Sequence, residues 1–253
     1  IKHAKMNGSR VYSIGGNFST NFLKKLLKIN SAIKQFDSIY TLNEKSKKVI
    51  ESIGNKNTIV CGDLRFDADI PKLTKKASEN ISKFIDNKTC IVFGSTWKGD
   101  EDIILRYIKN SDRKIKFIIA PHEISNNPKR IKKDLGDKSI LYSDIKSNTS
   151  LQEFSCLIVD NIGMLSALYN YSSISYVGGG MGKKGLHNTL EPAYFSKPII
   201  IGKNYQKFEE ANEMIKNGNM ISISNYNEFY NAIESLIDNE NLLIKMSKKC
   251  TEY

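Results

Sequence analysis

From Cys90 onward the chain repeats one pattern: a short apolar run, a polar loop, then a stretch whose apolar residues fall at helical spacing. Strands are predicted at Cys90–Gly94, Ile115–Ala120, Ser139–Tyr142, Cys156–Val159, Ile174–Val177, Pro198–Gly202 and Met220–Ile223. Helices are predicted over Asp100–Asn110, Pro128–Leu135, Gly163–Tyr169, Thr189–Phe195, Phe208–Asn217, Asn227–Ile237 and Asn241–Cys250. Strands that alternate with helices are joined by crossovers, which make the sheet mostly parallel. Cys90-Ile91-Val92-Phe93 and Phe117-Ile118-Ile119-Ala120 are apolar at every position. Such runs suit strands covered by helices on both faces. The expected class is α/β with a Rossmann-like parallel sheet.

The first part of the chain carries the same alternation on a smaller scale. Arg10–Ile14 reads as a strand ending in Gly15-Gly16, and Ser38–Thr41 and Thr58–Cys61 read as two more. Phe18, Phe22, Leu26 and Ile29 predict a helix over Phe18–Ile29. Asn43 is placed to cap a helix over Glu44–Ser52, which Gly54 ends. Between Asp69 and Lys88 the composition turns to Lys, Ser and Asn around Pro71, with one amphipathic helix carrying Ile81, Phe84 and Ile85. A domain boundary is expected near Asp67 to Pro71, giving one domain over 1–67 and a second over 68–253.

Composition narrows the partners. Of 253 residues, 38 are Lys or Arg and 27 are Asp or Glu, a formal net charge of +11. That excess has two readings. It is either solvated surface in a chain rich in Lys, Asn and Ile, as codon bias leaves it, or attraction to phosphorylated substrates, nucleic acid or an anionic membrane surface. No aromatic platform is interleaved with basic residues, so nucleic acid is not an expected partner. No apolar run approaches the ~20 residues of a membrane-spanning helix. The four cysteines form no CxxC pair and are expected to be free thiols of a reducing compartment. The chain opens on Ile1 without a targeting pattern, as a fragment or a processed product would.

In open α/β sheets ligands bind beyond the carboxyl ends of the strands. The loops there are Ser95-Thr96-Trp97-Lys98-Gly99-Asp100-Glu101, Pro121-His122-Glu123, Asp160-Asn161-Ile162-Gly163 and the run from Gly178 to Pro192. Two of the three histidines and the one Trp fall on this edge. Five Gly between Gly178 and Gly185 suit close approach of backbone to a ligand. Asn188 or Thr189 then opens a helix whose amino end favours an anion, and Lys183, Lys184 and His187 add cations or donors. A phosphate-linked donor fits such a loop, although it matches neither a Walker loop nor a GxGxxG turn. Glu191 suits either hydroxyls of a sugar or a helix-start acid favoured by the dipole. Trp97 suits either stacking on a base or filling the sheet edge. His122 and His187 show no metal-ligand spacing, so no metal and no cofactor is expected. The absence of a Gly-x-Ser-x-Gly elbow argues against triad hydrolysis.

Gly178-Gly179-Gly180 followed by Gly185-Leu186-His187-Asn188-Thr189-Leu190-Glu191-Pro192-Ala193 resembles the GGHNxLEPA-type signature of the 3-deoxy-D-manno-octulosonic acid (Kdo) transferases. Four further segments agree in order. Cys61 to Asp67 resembles that family's TGNxKFD junction, Gly94 to Glu101 its STHxGEE, Pro121-His122-Glu123 its PRHPE, and Asp160 to Leu165 its DTMGEL. Three departures stand out: Trp97 where the family usually has His, no Arg between Pro121 and His122, and Met164 where Glu is common. The resemblance implies an inverting glycosyltransferase of the two-domain GT-B fold, passing Kdo from CMP-Kdo to a lipid A precursor at the cytoplasmic face of the bacterial inner membrane, with that anionic surface as a further partner. Residues 1–67 would then be the remaining part of the acceptor domain and 68–253 the nucleotide-sugar donor domain. The donor site would comprise Ser95, Thr96, Pro121, His122, Gly163, Gly179, Gly180, Gly185, His187, Asn188 and Glu191. The family's catalytic Glu has no counterpart in these residues, so the chain alone is expected to fold but not to turn over. Another GT-B enzyme using a UDP-sugar, and a non-catalytic donor-binding module, are the alternatives.

Overall fold

The computed structural model describes residues 1–18, 30–67, 70 and 72–252. The chain divides into two compact units, Ile1–Asp69 and Ile70–Tyr253.

The smaller unit holds a parallel three-stranded sheet in the order β1 (Tyr12–Gly16), β2 (Ser38–Thr41), β3 (Thr58–Val60). Its helices are α1 (Lys2–Met6), α2 (Asn30–Ile33) and α3 (Glu44–Glu51). Asn43 caps α3 as its spacing predicts, with Oδ1 accepting from the Ser46 N–H at 2.8 Å. The core is small, built on Ile33, Ile39 and Ile50. On the other face of the sheet Ile14 and Ile59 stay exposed. The helix expected over Phe18–Ile29 falls on residues 19–29, outside the described residues. α1 has no apolar periodicity and was not expected. It is tied down by Lys5, whose ammonium meets Asp37 at 2.8 Å. Asp37 also accepts from the Val11 N–H, and these partners hold its carboxyl below the usual range.

The larger unit is a seven-stranded, wholly parallel sheet. Its strands are β4 (Cys90–Thr96), β5 (Lys116–Pro121), β6 (Ser139–Leu141), β7 (Cys156–Ile158), β8 (Ile174–Val177), β9 (Ile199–Gly202) and β10 (Met220–Ile223), in the spatial order β10-β9-β8-β4-β5-β7-β6. The chain enters in the middle at β4, builds outward to β6, then returns to add β8 on the other side of β4. The order therefore reverses between β4 and β8, and a crevice opens at such a point beyond the strand ends.

Alternate residues of each strand face opposite cores. Val92 and Ile118 pack with α4 (Lys75–Ile85), while Phe93 and Ile119 pack with α5 (Lys98–Asn110), α6 (Asn127–Leu135) and α10 (Tyr226–Asp238). The second face holds an aromatic cluster, with Phe93 within 6.3 Å of the Phe117, Tyr176 and Phe229 rings. Two expected helices come out short. Leu165–Leu168 (α7) gives way to a 3-10 turn, and Leu190–Tyr194 (α8) ends before Ser196, which takes a left-handed φ of 55°. The last helices are α9 (Glu209–Asn217) and α11 (Glu240–Glu252). Three of the four free cysteines are buried, and burial pushes the Cys90 thiol up to about 12. No helix of the described residues is long and apolar enough to cross a membrane.

One buried carboxylate joins β4 to the Gly-rich loop. Asp100, fully buried in the first turn of α5, accepts from four donors. Oδ2 takes the Trp97 N–H at 2.9 Å and the Gly179 N–H at 2.8 Å; Oδ1 takes the Tyr176 hydroxyl at 2.7 Å and the Met181 N–H at 3.3 Å. The bond to Trp97 also starts α5 two residues earlier than the apolar pattern indicates. Three of the loop glycines are held by contact with protein backbone. A Cβ on Gly178 would meet the Ser95 carbonyl, one on Gly179 the Gly185 carbonyl, and one on Gly180 the backbone of Gly202.

Asp100→Asn replaces two acceptor oxygens by one and turns an N–H₂ toward donors. A buried donor left unpaired costs about 1–3 kcal/mol. Urea unfolding should show a loss of that size, and hydrogen exchange at the Gly179 and Met181 amides should accelerate beyond the global change. Exchange that follows global stability alone would mean that the carboxylate does not hold the loop.

Candidate functional site

The crevice beyond β4, β5 and β8 receives three rings from three separate loops. Trp97 follows β4, His122 follows β5, and His187 comes from the Gly-rich excursion after β8. The ring planes of Trp97 and His187 are nearly parallel, with an interplanar angle of 11° and centroids 6.2 Å apart. The Trp97 indole N–H donates to His187 Nε2 at 2.8 Å. His122 lies against both, 4.5 Å from each centroid. The Lys184 ammonium stands 5.0 Å over the indole ring, within cation–π range. Burial and the adjacent His122 hold the His187 imidazole below its ordinary value, against an opposing pull from the Asp100 carboxylate. A neutral His187 beside an exposed His122 gives the crevice hydrogen-bonding capacity without requiring a second buried charge.

Its walls are set by the elements around it. The His187 N–H donates to the Gly178 carbonyl at 3.2 Å, folding the excursion back on its own start. Asn188 Oδ1 accepts from the Leu190 N–H at 3.1 Å, while its Nδ2 donates to Glu191 Oε1 at 3.2 Å. Glu191 is thereby oriented at the start of α8, half-buried, with one carboxylate oxygen engaged by Asn188. The Thr189 hydroxyl is buried and has no partner among the described residues.

The residues singled out from the sequence separate into groups. His122 and His187 meet, and Gly179, Gly180 and Gly185 frame the loop that delivers His187. Pro121 ends β5 immediately before His122, and Ser95, at a φ of 51°, bends the end of β4. Thr96 is fully buried, its hydroxyl donating to Glu101 at 3.2 Å. Glu101 is itself buried and paired with Arg130 of α6; burial pushes its carboxyl up and Arg130 opposes that. Gly163 lies beyond β7, which β5 separates from β4, and it takes no part in the ring stack. The roles of Asp100 and Trp97 were not read from the sequence, whereas Lys184 was expected as a cation of this loop. A cue was present for Asp100, an acid in the first turn of a helix directly after a central strand, but its partners were not deducible.

A pocket of about 310 Å³ opens on the other flank of the excursion, lined by Gly182, Lys183, Gly185, Asn204, Gln206, Lys207 and Phe208. Asn204 Nδ2 donates to the Gly182 carbonyl at 2.8 Å and ties this flank to the loop after β9.

Comparison with known proteins gives these residues a context. No family model matches the chain. It is 30% identical over 254 aligned residues to a bifunctional glycosyltransferase/methyltransferase of Fusobacterium nucleatum, an alignment that covers 95% of the chain and 39% of that protein. It is 29% identical over 249 residues to a 3-deoxy-D-manno-octulosonic acid transferase of Rickettsia typhi, covering 96% of the chain and 53% of the relative. The chain thus spans about half or less of the length of these relatives. Among solved structures, the C-terminal CMP-Kdo binding domain of WaaA from Acinetobacter baumannii superposes with a TM-score of 0.61 at 20% identity, over 70% of this chain and 95% of that domain. That likeness speaks for the fold. Taken with matches that run nearly the full length of the chain, it makes the chain a homologue of the Kdo transferases, glycosyltransferases of the GT-B fold.

Proposed function

We propose that the chain contributes the donor half of a Kdo transferase, which passes Kdo from CMP-Kdo to a hydroxyl of a lipid A precursor with inversion. The observation that carries this reading is the meeting of Trp97, His122 and His187 over the crevice where the strand order reverses. In this reading residues 70–253 hold the nucleotide sugar and residues 1–69 belong to the acceptor side. The His187 imidazole and the Lys184 ammonium face the phosphate, and the second oxygen of Glu191 accepts from the ribose. The stacked rings of Trp97 and His122 border the base or the sugar.

The chemistry asks little more of this half. The bond between the anomeric carbon of Kdo and the phosphate oxygen breaks, CMP leaves as a phosphate anion, and a new carbon–oxygen bond forms to the acceptor. Donors and cations fixed at the leaving phosphate stabilise the charge that develops there. The acceptor proton passes to a base, which we assign to the part of the relatives' length that these residues do not span. The positive charge of the chain supports work beside an anionic membrane surface, at the cytoplasmic face of the inner membrane.

Calorimetric titration separates this reading from a UDP-sugar enzyme. CMP-Kdo and CMP should bind the 253-residue chain, and UDP-N-acetylglucosamine should not compete. Preference for the UDP-sugar would overturn the assignment. A hydrogen bond to a charged group is worth about 1.5–3 kcal/mol, so His187→Ala or Glu191→Ala should weaken CMP-Kdo binding about tenfold to a hundredfold. If these changes lower the melting point and leave affinity untouched, Asn188 and Glu191 merely shape the start of α8.

No turnover of CMP-Kdo with a lipid A precursor is expected from the purified chain alone. Measurable transfer would place the base within these residues.

A further inference from the structure

We propose that Trp97 is a positioning residue whose indole N–H fixes His187 as the tautomer carrying its proton on Nδ1, so that the imidazole meets its ligand only as a donor. The proposal rests on the reading that His187 faces the donor phosphate, but its first test does not.

The geometry leaves little choice. An indole N–H donates and cannot accept. It points at His187 Nε2 over 2.8 Å, with the two ring planes within 11° of parallel, and only a nitrogen with a free lone pair can accept that hydrogen. Nε2 must then be bare, and a neutral imidazole with a bare Nε2 has its hydrogen on Nδ1. The second ring nitrogen is the one left for a ligand, and as an N–H it suits a phosphate or carboxylate oxygen. It cannot take a proton from a hydroxyl. A second proton on the ring would have to enter at Nε2, displacing the indole.

The groups around the ring agree with this role. His122 from the loop after β5 covers the plate formed by Trp97 and His187, at 4.5 Å from each. Asp100 at the start of α5 fixes the Trp97 backbone through its N–H, so the indole is anchored on the same carboxylate that holds the Gly-rich loop. On the His187 segment itself, Lys184 lies over the indole and Glu191 is engaged by Asn188. A proton on His187 would sit against His122, with the Asp100 carboxylate as the compensating charge. The plate therefore delivers a neutral, oriented N–H where a free histidine would exchange between two tautomers and a cation.

Long-range proton–nitrogen correlation spectra of the ligand-free, ¹⁵N-labelled chain test this directly, with His187 assigned through His187→Gln. The expected spectrum has a pyridine-type Nε2 and a pyrrole-type Nδ1 for His187 at neutral pH. Trp97→Phe keeps an aromatic ring and removes the N–H. In that variant His187 should shift toward the Nε2–H form, titrate nearer the ordinary histidine value, and bind CMP about two- to tenfold more weakly, the worth of one neutral hydrogen bond. A proton on Nε2 in the wild-type chain overturns the proposal even if Trp97→Phe fails to fold. An unchanged tautomer in a folded Trp97→Phe chain overturns it as well. Should the expected tautomer be found in a chain that does not bind CMP, the functional reading falls and the positioning role stands.

Discussion

The Asp100 carboxylate is the point on which the candidate site depends. It is removed from water and surrounded by donors from four places: the end of β4, the body of β8, and two positions in the loop that follows β8. A charge so placed is tolerable because every donor around it needs an acceptor. The arrangement also converts the parallel pairing of β4 with β8 into a fixed relation between the loops beyond them. Trp97 hangs from one side of that relation and His187 from the other. Their hydrogen bond is possible because the carboxylate sets the distance between their backbones.

Much of the larger unit was legible in the sequence. Runs such as Cys90–Phe93 and Phe117–Ala120 are apolar on both faces because helices cover both, and the structure places them in adjoining central strands. The strand ends and their loops followed, and with them His122, His187 and the Gly-rich excursion. What periodicity could not supply was contact at long range. Three of the four donors to Asp100 lie 76 to 81 residues away, and nothing local marks Tyr176, Gly179 or Met181 as its partner. The same limit applies to Trp97 and His187, 90 residues apart. The glycines were read as room for a ligand. Three of them are also room for protein, since Gly178, Gly179 and Gly180 each lie against another stretch of backbone.

The two carboxylates at the start of α5 divide their work. Asp100 organises the loops of the crevice, whereas the neighbouring Glu101 turns to Thr96 and to Arg130 of α6, bracing the helix beside β5. Neither is free to act as an acid or base on a ligand without giving up its partners. The chemistry available to the crevice thus comes from an indole, two imidazoles, a lysine and Glu191. In the proposed reading such a set binds and orients an anion and assists its departure, while the acceptor's proton passes to a base elsewhere.

Trp97 is the only tryptophan in the chain. Its indole stacks on the His122 imidazole and lies 5.0 Å from the Lys184 ammonium, and its one polar atom is committed to a second imidazole. The tryptophan fluorescence of the chain therefore originates at the crevice, next to groups that quench an excited indole in a manner sensitive to their protonation and distance. The molecule carries its own optical reporter, and occupancy of the crevice can be followed without attaching a dye.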